Sequence, residues 1–177
     1  MKKVAIESIE SQIGKHIANN IINWWNDREI LLILNEVESS TATGLSSTIA
    51  KLTESPIYKL NASKSTGKTE LYQLLKQSLT DESQDVIVLI EGFEVIESIE
   101  TFQILLLAFL QEGVIRESDL RGDLTTVTPK SGKSPHLIMV SNQQMRQIQQ
   151  SLCGPILRRS MLVELPNPST LALQQVH

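Results

Sequence analysis

The stretch from residue 29 to residue 46 constrains the fold of this 177-residue chain more than any other. It opens with five consecutive apolar residues at 30–34, continues through small polar residues, and leads into a segment with helical character. A short apolar run of this kind predicts a strand buried on both faces, as the strands of parallel sheets are. The core of the chain therefore begins with a strand, a loop and a helix, in that order.

The loop in this unit keeps the spacing of a phosphate-binding loop, G-x-x-x-x-G-K-[ST]. In that pattern the loop amides cradle phosphate, the lysine reaches the outer phosphates and the hydroxyl holds magnesium. The four corresponding residues here are Ser39, Gly44, Leu45 and Ser46. Because Leu45 stands in place of the lysine, the frame of a nucleotide site is present without its positive charge. We predict a degenerate site at these positions.

Four more strand-like runs follow, each separated from the next by a helical segment. They lie at residues 57–60, 85–90, 137–140 and 161–165. Strands that alternate with helices are typical of a parallel sheet, because each return to a parallel strand needs a crossover. We predict an α/β fold, a five-stranded parallel sheet with helices on both faces.

Ahead of the first strand, apolar residues recur at steps of three and four, which predicts an amphipathic helix. The stripe consists of Ile6, Ile9, Ile13, Ile17, Ile21 and Trp24. It either packs on the body of the protein or forms a partner-binding face. We interpret the chain as one domain over residues 1–177, with this helix at 1–27, the core at 28–168 and a tail at 169–177.

Charge and metal-ligand content exclude several classes of function. A formal net charge of −4 leaves no broad basic face, so membrane binding is not expected and a nucleic-acid-binding module is a disfavoured third alternative. The single cysteine, Cys153, excludes an internal disulfide and a structural zinc site. The isolated His16, His136 and His177 share no metal-binding spacing. The single cysteine favours a reducing, cytoplasmic setting, and we expect no metal. The apolar runs fall short of the roughly 18 residues of a membrane span, so we expect a soluble protein.

Taken in order, these landmarks resemble the core of an AAA+ ATPase, with similarity to clamp-loader subunits and Clp-type unfoldases. The loop at 39–46 and the acid Glu91 after the third strand match the Walker A and Walker B positions. Asn142 after the fourth strand matches sensor 1, and Arg158 and Arg159 before the last strand match the arginine-finger position. The resemblance covers most of the chain, and it implies a P-loop NTPase fold.

The resemblance also shows what this chain lacks. The lysine missing at Leu45 makes charge-assisted contacts to phosphate that are worth roughly 1.5–3 kcal/mol each. Glu91 is followed by Gly92, where the family has a second acid to activate water, and we expect Glu94 to point elsewhere. We expect no counterpart of the family's α-helical lid, because twelve residues follow Leu165. We therefore expect weak or no nucleotide binding and no cofactor.

A second loop competes with the first. Residues 62–69 contain a literal glycine-lysine-threonine between a strand and a helix, with only the first glycine of the motif changed. If Gly67, Lys68 and Thr69 form the phosphate site, the chain is a working NTPase that binds ATP, with Glu91 on magnesium. That assignment leaves the strand ending at Leu34 unexplained. The other interpretation is a polar helix start that Gly67 and Thr69 merely shape.

From these patterns we predict a pseudo-ATPase, a domain that keeps the AAA+ fold and subunit-contact surface without the chemistry and acts as a structural or regulatory module. It would bind a protein partner, such as an active AAA+ ATPase, or further copies of itself. In AAA+ rings the arginine at this position reaches the neighbouring subunit's γ-phosphate, so the resemblance gives that role to Arg159, with Arg158 as second candidate. The alternatives are that both arginines are solvated charges and that Asn142 only satisfies backbone groups.

Residues 114–135 interrupt the alternation of strands and helices. The segment is charged, rich in Gly, Thr and Ser, and shows no apolar periodicity. We expect a surface excursion outside the core, with a hairpin near residues 124–127.

Overall fold

The computed structural model describes residues 6–7, 10–11, 14–27, 30–35, 40–118, 122 and 124–165. Its centre is a five-stranded sheet in which every neighbouring pair of strands is parallel. The strands are β1 (Ile30–Asn35), β2 (Ile57–Asn61), β3 (Ile87–Glu91), β6 (His136–Ser141) and β7 (Ser160–Leu165), and their order across the sheet is β2-β3-β6-β1-β7. The predicted five-stranded parallel α/β fold is confirmed.

β1 lies inside the sheet between β6 and β7, with Ile30 opposite both Leu137 and Ser160. Its first five side chains are each at most 3 % exposed. An apolar side chain is therefore required on both faces of this strand, which is why the sequence shows an uninterrupted run rather than an alternating pattern.

Helices cover both faces of the sheet. One face packs against α3 (Lys68–Thr80), α4 (Ile99–Glu112), α5 (Met145–Ser151) and α6 (Gly154–Arg158). The other face packs against α1 (Lys15–Asp27) and α2 (Ser40–Thr53). A 3₁₀ turn at Phe93–Val95 precedes α4, and Gly113 ends α4 with a φ of 67°. Glycine is favoured at this position because the left-handed conformation costs it nothing.

α1 is the predicted amphipathic helix, and its apolar side is packed on the sheet. Ile21 and Trp24 are fully buried, whereas Ile9 and Ile13 lie outside the described residues. The Trp24 indole N–H donates to the carbonyl of Leu137 at 3.0 Å. This bond ties the end of the helix to β6, so within the described residues of α1 the stripe packs in the core.

His136 belongs to the same packing. Its ring is fully buried and stacks on Trp25 with centroids 3.8 Å apart, and its Nε2 lies 3.1 Å from Asp85 Oδ1. His136 therefore contributes to the packing of α1 on β6.

The segment at 114–135 forms an antiparallel hairpin of β4 (Ile115–Ser118) and β5 (Leu124–Val127). The expectation that it lies outside the core is wrong at its base, because Ile115 is 3 % exposed and packs in the main apolar cluster. Glu117 forms an ion pair with Lys76 of α3, and the Lys130 N–H donates to the Leu79 carbonyl. A strand turns alternate side chains to one side, so this charged segment still supplies a core residue.

Candidate functional site

Most of the predicted site residues follow the carboxyl ends of the parallel strands, which form one edge of the sheet, called here the carboxyl edge. Glu91 ends β3, Asn142 follows β6, and α2 follows β1. Parallel strands place these ends along one edge, which is where ligands of α/β proteins usually bind. Two backbone bonds hold the edge together, from Gly92 N–H to the Val140 carbonyl at 2.9 Å and from Ala62 N–H to the Glu91 carbonyl at 2.8 Å.

The segment predicted as a phosphate loop is mostly helix. α2 already begins at Ser40, so Gly44, Leu45 and Ser46 lie within the helix, while Ser39 is outside the described residues. Leu45 is 7 % exposed, and Ser46 is fully buried. Leu45 and Ile49 are four residues apart on one helix side, and both pack in the apolar cluster under α1. The side chain at the lysine position is therefore directed into the core.

Glu91 is held in an ion pair that the sequence did not reveal. Its Oε2 lies 2.7 Å from Lys59 Nζ, with the side chains of Glu91 and Lys59 13 % and 36 % exposed. Lys59 is on the neighbouring strand β2, two residues before Asn61, which is opposite Glu91 in the register. A cation bound by this carboxylate would compete with the Lys59 ammonium. Opposite charges on paired strands are the signal that could have suggested this contact.

Gly92 lies where the resemblance to AAA+ ATPases predicts a second acid. Its φ is 69°, in the left-handed region, and an added Cβ would lie 3.8 Å from the Ala62 carbonyl oxygen. The space is adequate, but a side chain here would strain the backbone. The turn after β3 is thus built for glycine rather than for a carboxylate.

Glu94 lies closer to the edge than the sequence suggested. Its Oε1 accepts a hydrogen bond from the backbone N–H of Asn142 at 3.3 Å, so the expectation that it points elsewhere is wrong. Gly92 reverses the chain direction after β3, and the 3₁₀ turn brings Glu94 back towards β6. Glu94 Oε2 is buried and has no hydrogen-bond partner within the described part of the chain. The side chain of Asn142 is exposed.

The competing loop precedes α3 at the edge strand β2. The Gly67 N–H donates to Glu70 Oε2 at 2.9 Å, and this bond lowers the pKa of Glu70. The Ser63 N–H donates to Thr66 Oγ1 at 2.8 Å. Backbone amides that would cradle phosphate in a P-loop are here bonded to the loop's own side chains, and one of those side chains is an acid.

Lys68 and Thr69 form the exposed first turn of α3. Lys68 borders a groove of about 710 Å³ between α3, α4 and the hairpin, where Leu105, Phe109 and Ile115 are among the apolar lining residues. The groove is therefore separate from Glu91, Glu94 and Asn142, none of which lines it.

The two arginines lie at the opposite edge of the sheet. Arg158 ends α6, and Arg159 comes directly before β7, where its carbonyl accepts the Ile30 N–H at 3.0 Å. Arg158 is exposed and Arg159 is half-buried, and neither guanidinium has a partner among the residues described. Six strand residues at about 3.3 Å each separate this edge from the carboxyl edge. The structure does not bring the arginines together with the other predicted site residues.

The fold is similar to that of two solved AAA+ ATPases. A reconstruction of Hsp104 with ATPγS and FITC casein superposes with a TM-score of 0.58 at 15 % identity, covering 91 % of this chain and 33 % of Hsp104. A mutant RuvB of Thermotoga maritima gives 0.58 at 11 % identity, covering 85 % of this chain and 45 % of RuvB. The chain thus spans less than half the length of either protein, and the likeness establishes an AAA+-like fold.

No protein-family profile and no curated protein matches the sequence. Within the described residues, no group of three or more acidic, cysteine or histidine side chains is arranged to hold a metal ion. No helix in that part of the chain is both long and apolar enough to cross a membrane.

Proposed function

We propose that this chain is an AAA+-like domain that does not hydrolyse ATP and serves as a structural or regulatory protein-interaction module. The observation that carries the proposal is the burial of Leu45, which packs in the core within a helix that starts at Ser40. An apolar side chain in that place offers nothing to a triphosphate, and restoring a lysine would bury a charge. The resulting prediction is the absence of an ATP complex.

The acidic side of the site supports the same proposal. Of the two acids that the AAA+ mechanism uses, one is Glu91, which is neutralised by Lys59, and the other is replaced by Gly92 in the left-handed region. Glu94 is a carboxylate at the same edge, but its Oε1 accepts the Asn142 N–H. In the proposed function, no acid is dedicated to binding magnesium or to activating water.

The alternative function is an active NTPase that uses Gly67, Lys68 and Thr69. Its support is the exposure of Lys68 and Thr69 at the start of α3. Against it stands the Glu70 carboxylate, which accepts the Gly67 N–H and would repel phosphate. Comparing ATP affinity between Lys68→Ala and Lys64→Ala separates the two functions, since Lys64 is an exposed lysine of the same loop that lies outside the motif.

We further propose that Arg159 acts on a neighbouring subunit rather than within its own chain. The arginine is on the sheet edge opposite Glu91, and no described residue neutralises it. A charge supplied in this way to a neighbour's phosphate is worth on the order of 10³–10⁵ in rate. A chain without its own nucleotide could keep the arginine for this reason, with either an ATPase partner or another copy of itself.

The test measures ATP turnover by a candidate ATPase partner with the wild-type chain, Arg159→Ala and Arg158→Ala. Loss of stimulation by Arg159→Ala in a complex that still forms supports action on the partner. Weaker assembly without a change in turnover per complex indicates a purely structural contact. Equal stimulation by all three proteins would contradict the proposed role.

A further inference from the structure

Gln103 is a buried polar side chain in an otherwise apolar part of α4. It is 6 % exposed, and its neighbours Phe102 and Leu106 are fully buried. Burying an amide costs free energy unless its hydrogen bonds are made. Gln103 makes them at both ends, because its Nε2 donates to the Ser151 carbonyl at 3.0 Å and its Oε1 accepts the Cys153 N–H at 2.6 Å.

These two bonds hold the turn between α5 and α6. Ser151 is the last residue of α5, and Cys153 immediately precedes Gly154, the first residue of α6. Only five residues of α6 then separate this fixed point from Arg159. At Arg159 the chain is fixed again, through the Ile30 N–H. Because so few residues lie between the two fixed points, a shift of Cys153 should also move Arg159.

The helix that carries Gln103 also begins close to the carboxyl edge of the sheet. α4 follows the 3₁₀ turn that contains Glu94, and the fully buried Phe93 anchors this turn in the core. Glu94 in turn accepts the Asn142 N–H. α4 thus lies between the 3₁₀ turn that contains Glu94 and the turn that leads to Arg159.

We propose that Gln103 is a positioning residue, which fixes the α5–α6 turn on α4 and thereby sets the place of Arg159. This inference rests on the proposed role of Arg159 for its biological meaning. The two hydrogen bonds of Gln103 to Ser151 and Cys153, which we call the clamp, can be measured without any partner. The only cysteine of the chain, Cys153, is inside the clamp and half-buried beside a hollow of about 350 Å³. Its thiol is a reporter at the site.

The experiment compares the full chain with Gln103→Leu, which removes both bonds, and Gln103→Glu, which keeps the acceptor for the Cys153 N–H. Gln111→Leu is the matched control, since Gln111 is exposed on the same helix. The first readout is the rate at which Ellman's reagent labels Cys153 in the native protein. Loss of the buried hydrogen bonds should raise this rate by about tenfold in Gln103→Leu. Gln103→Glu should raise it at least as much, because its second carboxylate oxygen would be buried against the Ser151 carbonyl, and the control should not change.

The second readout is hydrogen exchange of the Ile30 amide, which reports on its bond to the Arg159 carbonyl. A positioning role predicts faster exchange at Ile30 as well as in residues 154–159. Faster labelling with an unchanged Ile30 amide would overturn the positioning role, because the disturbance would then stay local. Unchanged labelling in both Gln103 variants would overturn the clamp itself.

Both outcomes are separable from failure of the proposed function. If Gln103→Leu does not fold, the same two readouts on Gln103→Glu decide. Tight ATP binding by the wild-type chain would contradict the pseudo-ATPase proposal, yet it would leave the labelling and exchange results intact.

Discussion

Lys59 Nζ lies 2.7 Å from Glu91 Oε2, so the acid that we predicted at the Walker B position is neutralised from the neighbouring strand. The pair is only partly exposed, which makes its electrostatic coupling larger than that of a fully solvated pair. In this chain the acid stabilises the sheet edge, and a metal ion would have to displace an ammonium to reach it.

A double-mutant cycle with Lys59→Met and Glu91→Gln should give a coupling of about 0.5–1 kcal/mol in the free energy of unfolding. The coupling should shrink in concentrated salt because salt screens partly exposed charges. The exposed pair Lys130–Glu82 is the control and should show almost none. A coupling at Lys59–Glu91 no larger than the control would contradict the ion pair's structural role.

Leu45→Lys should destabilise the protein rather than create a nucleotide site. Leu45 is 7 % exposed in the core, so the ammonium would be buried without a partner, at a cost of about 2–4 kcal/mol in the free energy of unfolding. Ser47→Lys, at an exposed position of α2, is the matched control and should change stability little. Urea denaturation measures both. Equal stability of the two variants would mean that Leu45 is not a core residue.

Two glycine-to-alanine substitutions should change the free energy of unfolding in opposite directions. Gly92→Ala forces a side chain into the left-handed region and should cost about 1 kcal/mol, and Gly92→Asn should cost less. Gly44→Ala lies in the interior of α2, with nothing within 4 Å of the added Cβ, and should stabilise by about 0.5–1 kcal/mol. Thermal unfolding of the three variants checks this. A stabilising Gly92→Ala would mean that the turn is not built for glycine.

Asp81 should make stability sensitive to acid. Hydrogen bonds from Ser83 and from Tyr58 lower the pKa of Asp81, and the bond to Asp81 raises the pKa of Tyr58. A carboxyl with a lower pKa in the folded state stabilises the fold above its unfolded pKa of about 3.9, and loses that effect as pH falls through the folded value. The urea midpoints of wild type and Asp81→Asn should therefore differ at pH 7 and converge below about pH 3.9. A constant difference down to pH 2 would argue against this linkage.

The fold was predictable because its strongest signals are local. Apolar runs predicted all five strands, although Lys59 interrupts the run in β2 and Glu164 interrupts the run in β7. The period of α1 predicted the buried Ile21 and Trp24. Tertiary contacts account for what was missed. Ile115 looked like part of a polar surface segment, but its strand turns it into the core.

The site was less predictable, because its contacts depend on register and on turn geometry. The Lys59–Glu91 pair requires the alignment of β2 with β3, and the position of Glu94 depends on the left-handed turn at Gly92. Spacing alone suggested a loop at Leu45, since a motif match does not show where a helix begins. Gln103 gave no signal, because a single glutamine in an apolar helix does not reveal its partners.

The most direct test of the account is a calorimetric titration of the wild-type chain with ATP and magnesium. We predict no binding at micromolar nucleotide, because Leu45 is buried, Glu91 is paired with Lys59 and Gly92 carries no acid. Lys68→Ala and Lys64→Ala are titrated in parallel. Micromolar binding that Lys68→Ala abolishes and Lys64→Ala retains would contradict the pseudo-ATPase account and assign the nucleotide site to Gly67, Lys68 and Thr69.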